Sequence, residues 1–186
     1  MHVFEAIQSR RSIKRFTDRA ITREELERLL AAAALAPNHR LTEPWRFYIL
    51  GPQARHAYGL ALGDRKARKL TDPEAIAALR EKVASEHRSL PCMIAVAMIR
   101  HEDPEIREED YAAVMMAIQN LALVAVDMGL GTHIKTGAVM ETAAAREAVG
   151  VPEGQRIVAT INVGEPAEVP APKPRREGRE HTTWLP

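Results

Sequence analysis

The sequence predicts one domain that combines α-helices with a few strands, and three segments carry this prediction. Residues 45–50 alternate in polarity and are bulky, as in a half-buried strand. Residues 92–99 form a nearly unbroken apolar run of strand length, which is typical of an interior strand. Residues 111–130 hold 16 apolar side chains in 20, which indicates a long buried helix. A length of 186 residues with 46% hydrophobic residues fits one such core.

The first half of the chain predicts mainly helices around the first strand. Apolar residues at positions 3, 4, 6 and 7 fit a short amphipathic helix before the basic residues that follow Ser9. Thr22 precedes Glu25 by three positions, a capping-box pattern that starts a helix ending near Pro37. Residues 53–90 predict polar helical stretches, broken around 63–64 and 71–73, that cover one side of the core.

The second half predicts the central helix, a short mixed unit and an arm. A run as apolar as 111–130 could span a membrane, but its interior polar residues and its strongly polar flank at 107–110 favour a core helix. A short helix over 142–149 and a strand over 156–163 follow. Residues 165–186 contain 5 of the 12 prolines and predict an extended arm, for which the surface of a second subunit is the natural support.

Composition excludes several classes of protein and partner. Lys and Arg number 26 against 25 Asp and Glu, so the net charge of +1 provides no broad field that would attract nucleic acid or a membrane surface. The aromatic fraction of 4% argues against a surface that stacks bases. Cys92 is the single cysteine, so we expect no internal disulfide and no metal site. The start of the chain shows no secretory signal pattern, which predicts a cytoplasmic location.

The strongest candidate for a binding segment is the run Arg10-Arg11-Ser12-Ile13-Lys14-Arg15-Phe16. Arginine side chains and a hydroxyl just after a short helix supply the donors that a phosphate monoester needs. In an extended segment Ser12, Lys14 and Phe16 share one side, which places Lys14 further along the same ligand. The alternative is a solvated basic turn. Gly-rich phosphate loops, zinc-hydrolase motifs and serine-hydrolase elbows are absent from the sequence.

Two further clusters lie at the ends of predicted helices. In Ala36-Pro37-Asn38-His39-Arg40-Leu41-Thr42-Glu43-Pro44-Trp45, two prolines frame a polar loop between a helix and a strand, a place where scaffolds present binding groups. A plain connection with Trp45 in the core is the alternative, and for Trp45 we adopt it. In Gly129-Leu130-Gly131-Thr132-His133-Ile134-Lys135-Thr136-Gly137, the glycines suit a turn or the close approach of a ligand.

Taken in order, the three clusters resemble the FMN-dependent nitroreductase family. Its pattern is R-R-S-I-[KR]-x-F, then A-P-x-x-x-x-x-x-P-W, an Ala- and Met-rich helix ending in G-L-G, and I-x-V-G-x-P at a strand end. The match spans nearly the whole chain, from the basic run to residues 161–166. Asn38, Leu41 and Glu43 replace the Ser, Asn and Gln of the commonest second motif, which is similar to a short, compact subgroup.

The resemblance implies residues for the phosphate end of FMN. Arg10 and Ser12 would hold the phosphate, with Arg11 helping from its backbone or side chain. The family has another cationic phosphate contact in its C-terminal arm, and Arg175 or Arg176 would take that role.

The resemblance also implies residues for the flavin rings. Lys14 would approach the pyrimidine edge, and Leu35 and His39 would come from the other subunit. Three residues of that subunit would line the isoalloxazine: Ile134, Lys135 and Thr136. No catalytic acid, base or nucleophile is implied.

The implied fold is α+β, a mixed central sheet flanked by helices, in an intertwined homodimer with exchanged C-terminal arms. The implied activity is reduction of a small acceptor, such as a quinone or nitroaromatic, by NADH or NADPH through FMN in a ping-pong reaction. Two alternatives stay open: a flavin-binding or ligand-sensing dimer without turnover, and a structural dimer without a cofactor.

Overall fold

The computed structural model describes residues 1–186 and shows a four-stranded sheet with helices on both faces. The helices are α1 (Val3–Ser9), α2 (Arg23–Ala34), α3 (Pro52–Ala67), α4 (Pro73–Arg88), α5 (Pro104–Asp127) and α6 (Ala143–Val149). The strands are β1 (Trp45–Ile49), β2 (Cys92–Ile99), β3 (Gly131–Lys135) and β4 (Gln155–Gly164). Short 3-10 helices span Ala138–Glu141 and Gly178–His181. The predicted α+β class is confirmed.

The sheet order is β1-β2-β4-β3, and every neighbouring pair of these strands is antiparallel. The resemblance implied a mixed sheet, but the four strands are all antiparallel. The one parallel pairing is an isolated bridge between Ser12 and Thr132, outside the four strands. Strand β2 occupies the predicted residues and is buried on both faces, since its side chains alternate between two apolar clusters. One cluster lies under α2 and α5 and includes Trp45, as expected; the other lies under α3 and α6.

The predicted helix break at Gly63 is wrong, because α3 continues through it to Ala67. A Cβ on Gly63 would lie 2.7 Å from the Cα of Arg80, and one on Gly59 would lie 2.6 Å from the Cα of Ala84. Both glycines therefore let α3 and α4 approach closely. The pair covers one side of the core, as predicted, with Tyr58 in the apolar cluster on that side.

Helix α5 begins at Pro104, seven residues before the predicted start. The Asp103 carboxylate accepts a hydrogen bond from the Glu105 amide (2.8 Å) and caps the helix, so the polar flank is its first two turns. By length and composition α5 is the one helix that could cross a membrane. Most of its buried residues, among them Val114 and Leu121, belong to the apolar cluster against the sheet and α2, as predicted for a core helix.

Candidate functional site

The basic segment after α1 lies against the edge strand β3. Ile13 donates its backbone N–H to the Thr132 carbonyl (2.9 Å), and its side chain is buried. The close approach requires glycine at 131, since a Cβ there would lie 2.4 Å from Ile13 Cγ1. With Ile13 turned inward, Ser12 and Lys14 are exposed on the outer side. The predicted alternation of Ser12 and Lys14 is thus observed.

The C-terminal arm begins by pairing with this segment of its own chain. Residues 165–167 run antiparallel to residues 15–17, with a bridge between Phe16 and Pro166. Thr17 donates its N–H to the Glu165 carbonyl (2.9 Å) and its hydroxyl to the Glu165 carboxylate (2.7 Å). Unlike the exposed Ser12 and Lys14, Phe16 is half-buried, with its ring beside Gly164 at the end of β4. The first residues of the arm therefore have their support within the chain itself.

A cavity of about 690 Å³ lies between the basic segment and the arm. Its walls hold five cationic side chains and one carboxylate, that of Glu168, which pairs with Arg15. Such an excess of positive charge over one small cavity suits an anionic ligand. The lining residues are Ile7, Gln8, Arg11, Ser12, Lys14, Arg15, Glu168, Pro170, Ala171, Pro172, Lys173 and Arg175.

Arg11 is held in place while one of its donors stays free. Its Nη1 donates to the carbonyls of Gln8 (2.6 Å) and Arg10 (2.9 Å), at the end of α1. Its Nε is buried and has no hydrogen-bond partner. Its Nη2 forms no hydrogen bond within the chain, so this group is the donor that an anion in the cavity can reach. The half-buried side chain of Arg10 is not among the lining residues.

Strand β3 places a second group of predicted residues beyond the cavity. Ile134 packs against the apolar cluster under α5, whereas Lys135 is half-buried and Thr136 is exposed. Burial lowers the pKa of Lys135, and the positive charge of Lys66 lowers it further. Thr136 lines a separate cavity of about 310 Å³.

His133 was not singled out from the sequence, although its position on β3 offered a signal. His133 and Lys135 are two residues apart on the strand, so their side chains lie on the same face. Burial lowers the pKa of His133, and the nearby charges of Lys135 and Lys14 lower it further. The neutral imidazole therefore predominates near pH 7 beside two ammonium groups. Arg15, within the basic run, and Lys173, in the proline-rich arm, were also missed.

Leu35 and His39 lie away from the cationic cavity. Leu35 follows α2 and is 83% exposed. His39 Nδ1 is 3.3 Å from Glu109 Oε1, at a shallow cavity of about 410 Å³ that also meets Met116 of α5. One chain thus brings together Arg11, Ser12, Lys14 and Arg175, and leaves the other predicted residues in separate places.

Comparison with known proteins supplies the family. The nitroreductase family model matches residues 7–165. YfhC of Bacillus subtilis, provisionally named an NAD(P)H nitroreductase, is 30% identical over 96% of this chain and 92% of its own. YdjA of Escherichia coli K12, with the same provisional name, is 28% identical over 89% of each chain.

Solved structures agree with the sequence relatives. A nitroreductase-like family protein from Bacillus cereus has a TM-score of 0.87 and 30% identity, over 100% of this chain and 96% of its own. A provisionally named nitroreductase from Desulfovibrio desulfuricans, solved in complex with FMN, has a TM-score of 0.73 and 26% identity, over 99% and 96%. The fold is therefore the nitroreductase-like α+β fold. This chain belongs to the nitroreductase family, a family of oxidoreductases.

Proposed function

We propose that this protein is an FMN-dependent NAD(P)H oxidoreductase that reduces small acceptors, such as nitroaromatics or quinones, by ping-pong two-electron transfer. The observation that carries the proposal is the cationic cavity built by the basic segment and the arm in a chain of the nitroreductase family. The FMN bound to the Desulfovibrio desulfuricans relative supports the choice of cofactor. Residues 1–186 would form one FMN-binding domain.

The phosphate of FMN would bind in this cavity. Arg11 Nη2, the Ser12 hydroxyl and the Arg175 guanidinium supply donors to its oxygens. Lys173 and Lys14 form no ion pair within the chain, so their charge is available to the ligand. Arg10 lies outside the lining of the cavity, so its contact with the phosphate would require its side chain to turn toward the cavity in the bound dimer.

The ring system would extend from the phosphate toward Lys14 and the end of β3. When bound, FMN supplies the two-electron chemistry, by accepting a hydride from the nicotinamide and passing it to the acceptor. Lys14 would stabilise negative charge at the N1 to C2-carbonyl edge, and a backbone N–H of residues 134–136 would donate to N5. These groups bind and orient; no acid, base or nucleophile of the chain is required.

We further propose a cytoplasmic homodimer with FMN at the subunit interface. Leu35 and His39 lie apart from the cavity within one chain, so a second copy would be needed to bring them to the flavin. Large apolar side chains of α1 are exposed, among them Val3 and Phe4, as is Trp184 near the end of the arm. Such surfaces are typical of subunit interfaces.

Spectroscopy on the purified protein tests the proposal. A yellow preparation with a flavin spectrum supports it, whereas protein that takes up no FMN when reconstituted refutes it. Anaerobic NADH or NADPH should bleach the flavin, and a quinone should restore the oxidised spectrum. A flavin that stays oxidised with both nicotinamides would instead indicate a flavin-binding dimer without turnover.

A pair of arginine variants tests the phosphate end. Arg11→Ala should raise the FMN dissociation constant by about tenfold or more, because a charge-assisted donor is lost. Arg10→Ala should have a smaller effect, and Arg68→Ala, on the surface beyond α3, should have none. Isothermal titration of the apoprotein measures all three. Equal affinities for wild type and Arg11→Ala would contradict the placement of the phosphate.

A further inference from the structure

The loop at residues 37–44, between α2 and β1, holds two residues in an unfavourable backbone conformation. Leu41 has φ 49° and Glu43 has φ 43°, in the left-handed region that side chains with a Cβ seldom adopt. Leu41 is 83% exposed, so burial of its side chain does not hold it there. Residues kept in such conformations are often part of functional sites, where neighbouring groups impose the geometry.

A chain of three hydrogen bonds imposes this geometry. The Glu43 N–H donates to Asn38 Oδ1 (2.8 Å), and Asn38 Nδ2 donates to the Thr42 hydroxyl oxygen (3.2 Å). The Thr42 hydroxyl donates its one hydrogen to Asp110 Oδ1 (2.5 Å). All three donors thus point the same way along the chain of bonds, toward a carboxylate on α5. We call these three bonds the Asp110 relay.

Asp110 is suited to hold this relay in place. Its side chain is only 3% exposed, and Thr42 is the one hydrogen-bond partner of its carboxylate. Loss of that donor would leave a buried carboxylate without a hydrogen bond, at a cost in free energy. This cost keeps the Thr42 hydroxyl bonded to Asp110. The adjacent Glu109 holds the other side of the loop, with Arg40 Nε at 2.9 Å and His39 Nδ1 at 3.3 Å.

We infer that Asp110 is a positioning residue for the binding site, acting through Thr42 and Asn38. The relay keeps the loop in the strained conformation that presents Leu41 and His39 outward from the chain. This inference rests on the proposed function, in which His39 reaches the flavin of the other subunit. Asp110 itself touches neither the cofactor nor the acceptor; it sets the shape of the loop that does.

The first test measures the relay in the protein without FMN. Thr42→Val removes the hydroxyl at nearly constant shape, and Thr42→Ser retains it. Hydrogen exchange followed by NMR should show the Glu43 amide exchanging about tenfold faster in Thr42→Val, and close to the wild-type rate in Thr42→Ser. The amides of β1 should be unchanged in both. A Glu43 amide as protected in Thr42→Val as in wild type would overturn the inference.

The second test measures the consequence for the site. FMN dissociation constants and acceptor KM values should rise about threefold to tenfold in Thr42→Val and return toward wild type in Thr42→Ser. Thr22→Val is the matched control, because it removes the cap of α2 and lowers stability without touching the relay. Equal FMN affinity and KM in Thr42→Val and Thr22→Val would overturn the positioning role.

A double-mutant cycle ties the effect to Asp110. Asp110→Leu should change FMN affinity as Thr42→Val does, and the double variant should add little, because both changes break the same bond. Fully additive effects would overturn the relay as the cause. Wild-type protein that binds no FMN would instead overturn the proposed function, and with it the role of the relay in binding. The exchange experiment would still report whether the relay exists.

Discussion

Replacing Gly131 by alanine tests whether the close approach of the basic segment to β3 forms the site. A Cβ at residue 131 would lie 2.4 Å from Ile13 Cγ1, 2.9 Å from Ile13 Cβ and 3.0 Å from Pro166 Cγ. Ordinary contacts between carbon atoms are about 3.5–4.0 Å, so each neighbour has to move. Ile13 is held to β3 by its backbone hydrogen bond, and Pro166 lies at the start of the arm. The methyl group would therefore separate the two walls of the cavity from the sheet.

The expected cost follows from this crowding. Overpacking a well-packed site costs about 1–3 kcal/mol, and three contacts below the normal distance place Gly131→Ala in the upper half of that range. With a urea m-value of about 2 kcal/mol/M, the unfolding midpoint should fall by about 1 M. Ser12 and Lys14 flank the displaced Ile13, so FMN affinity should fall by about tenfold as well.

Urea unfolding and FMN titration, both at one fixed protein concentration, measure these effects. Gly178→Ala is the matched control, because Gly178 is exposed, its φ lies outside the left-handed region and nothing lies within 4 Å of the added Cβ. The control should keep both values near those of wild type. Gly131→Ala with wild-type stability and wild-type FMN affinity would refute the reasoning. A stability loss with unchanged affinity would refute only the link between this contact and the site.

Two further predictions concern buried titratable groups. Burial lowers the pKa of His87, so the unfolded chain binds its proton more readily and the unfolding free energy should fall as the pH drops below about 6.5. His87→Asn should flatten this dependence in urea titrations between pH 7 and pH 5. His101→Asn, at an exposed histidine, is the control and should leave the dependence as in wild type. An unaltered slope in His87→Asn would contradict the assignment to His87. Burial raises the pKa of Cys92 to about 11, so its thiol should react with a disulfide reagent at pH 8 about a hundredfold more slowly in the folded protein than in urea. Comparable rates would show that Cys92 is accessible.

Regular elements followed closely from local sequence patterns. The apolar run of β2 and the capping box of α2 each predicted an element that the structure contains. The prediction failed at Gly63, where a residue that usually interrupts helices lies within α3. Glycine occurs there because the backbone of α4 lies too close to residue 63 to leave room for a side chain. A local rule could not include that neighbour.

Sequence by itself determined the identity of most helices and strands, the family resemblance and the outward alternation of Ser12 with Lys14. These properties depend on periodicity and on neighbours a few residues away. Only the tertiary structure decided that the arm folds onto residues 15–17, that Arg11 rather than Arg10 lines the cavity, and that Asp110 holds the loop at 37–44. Those contacts join residues that are far apart in the chain, and packing of the whole core selects them.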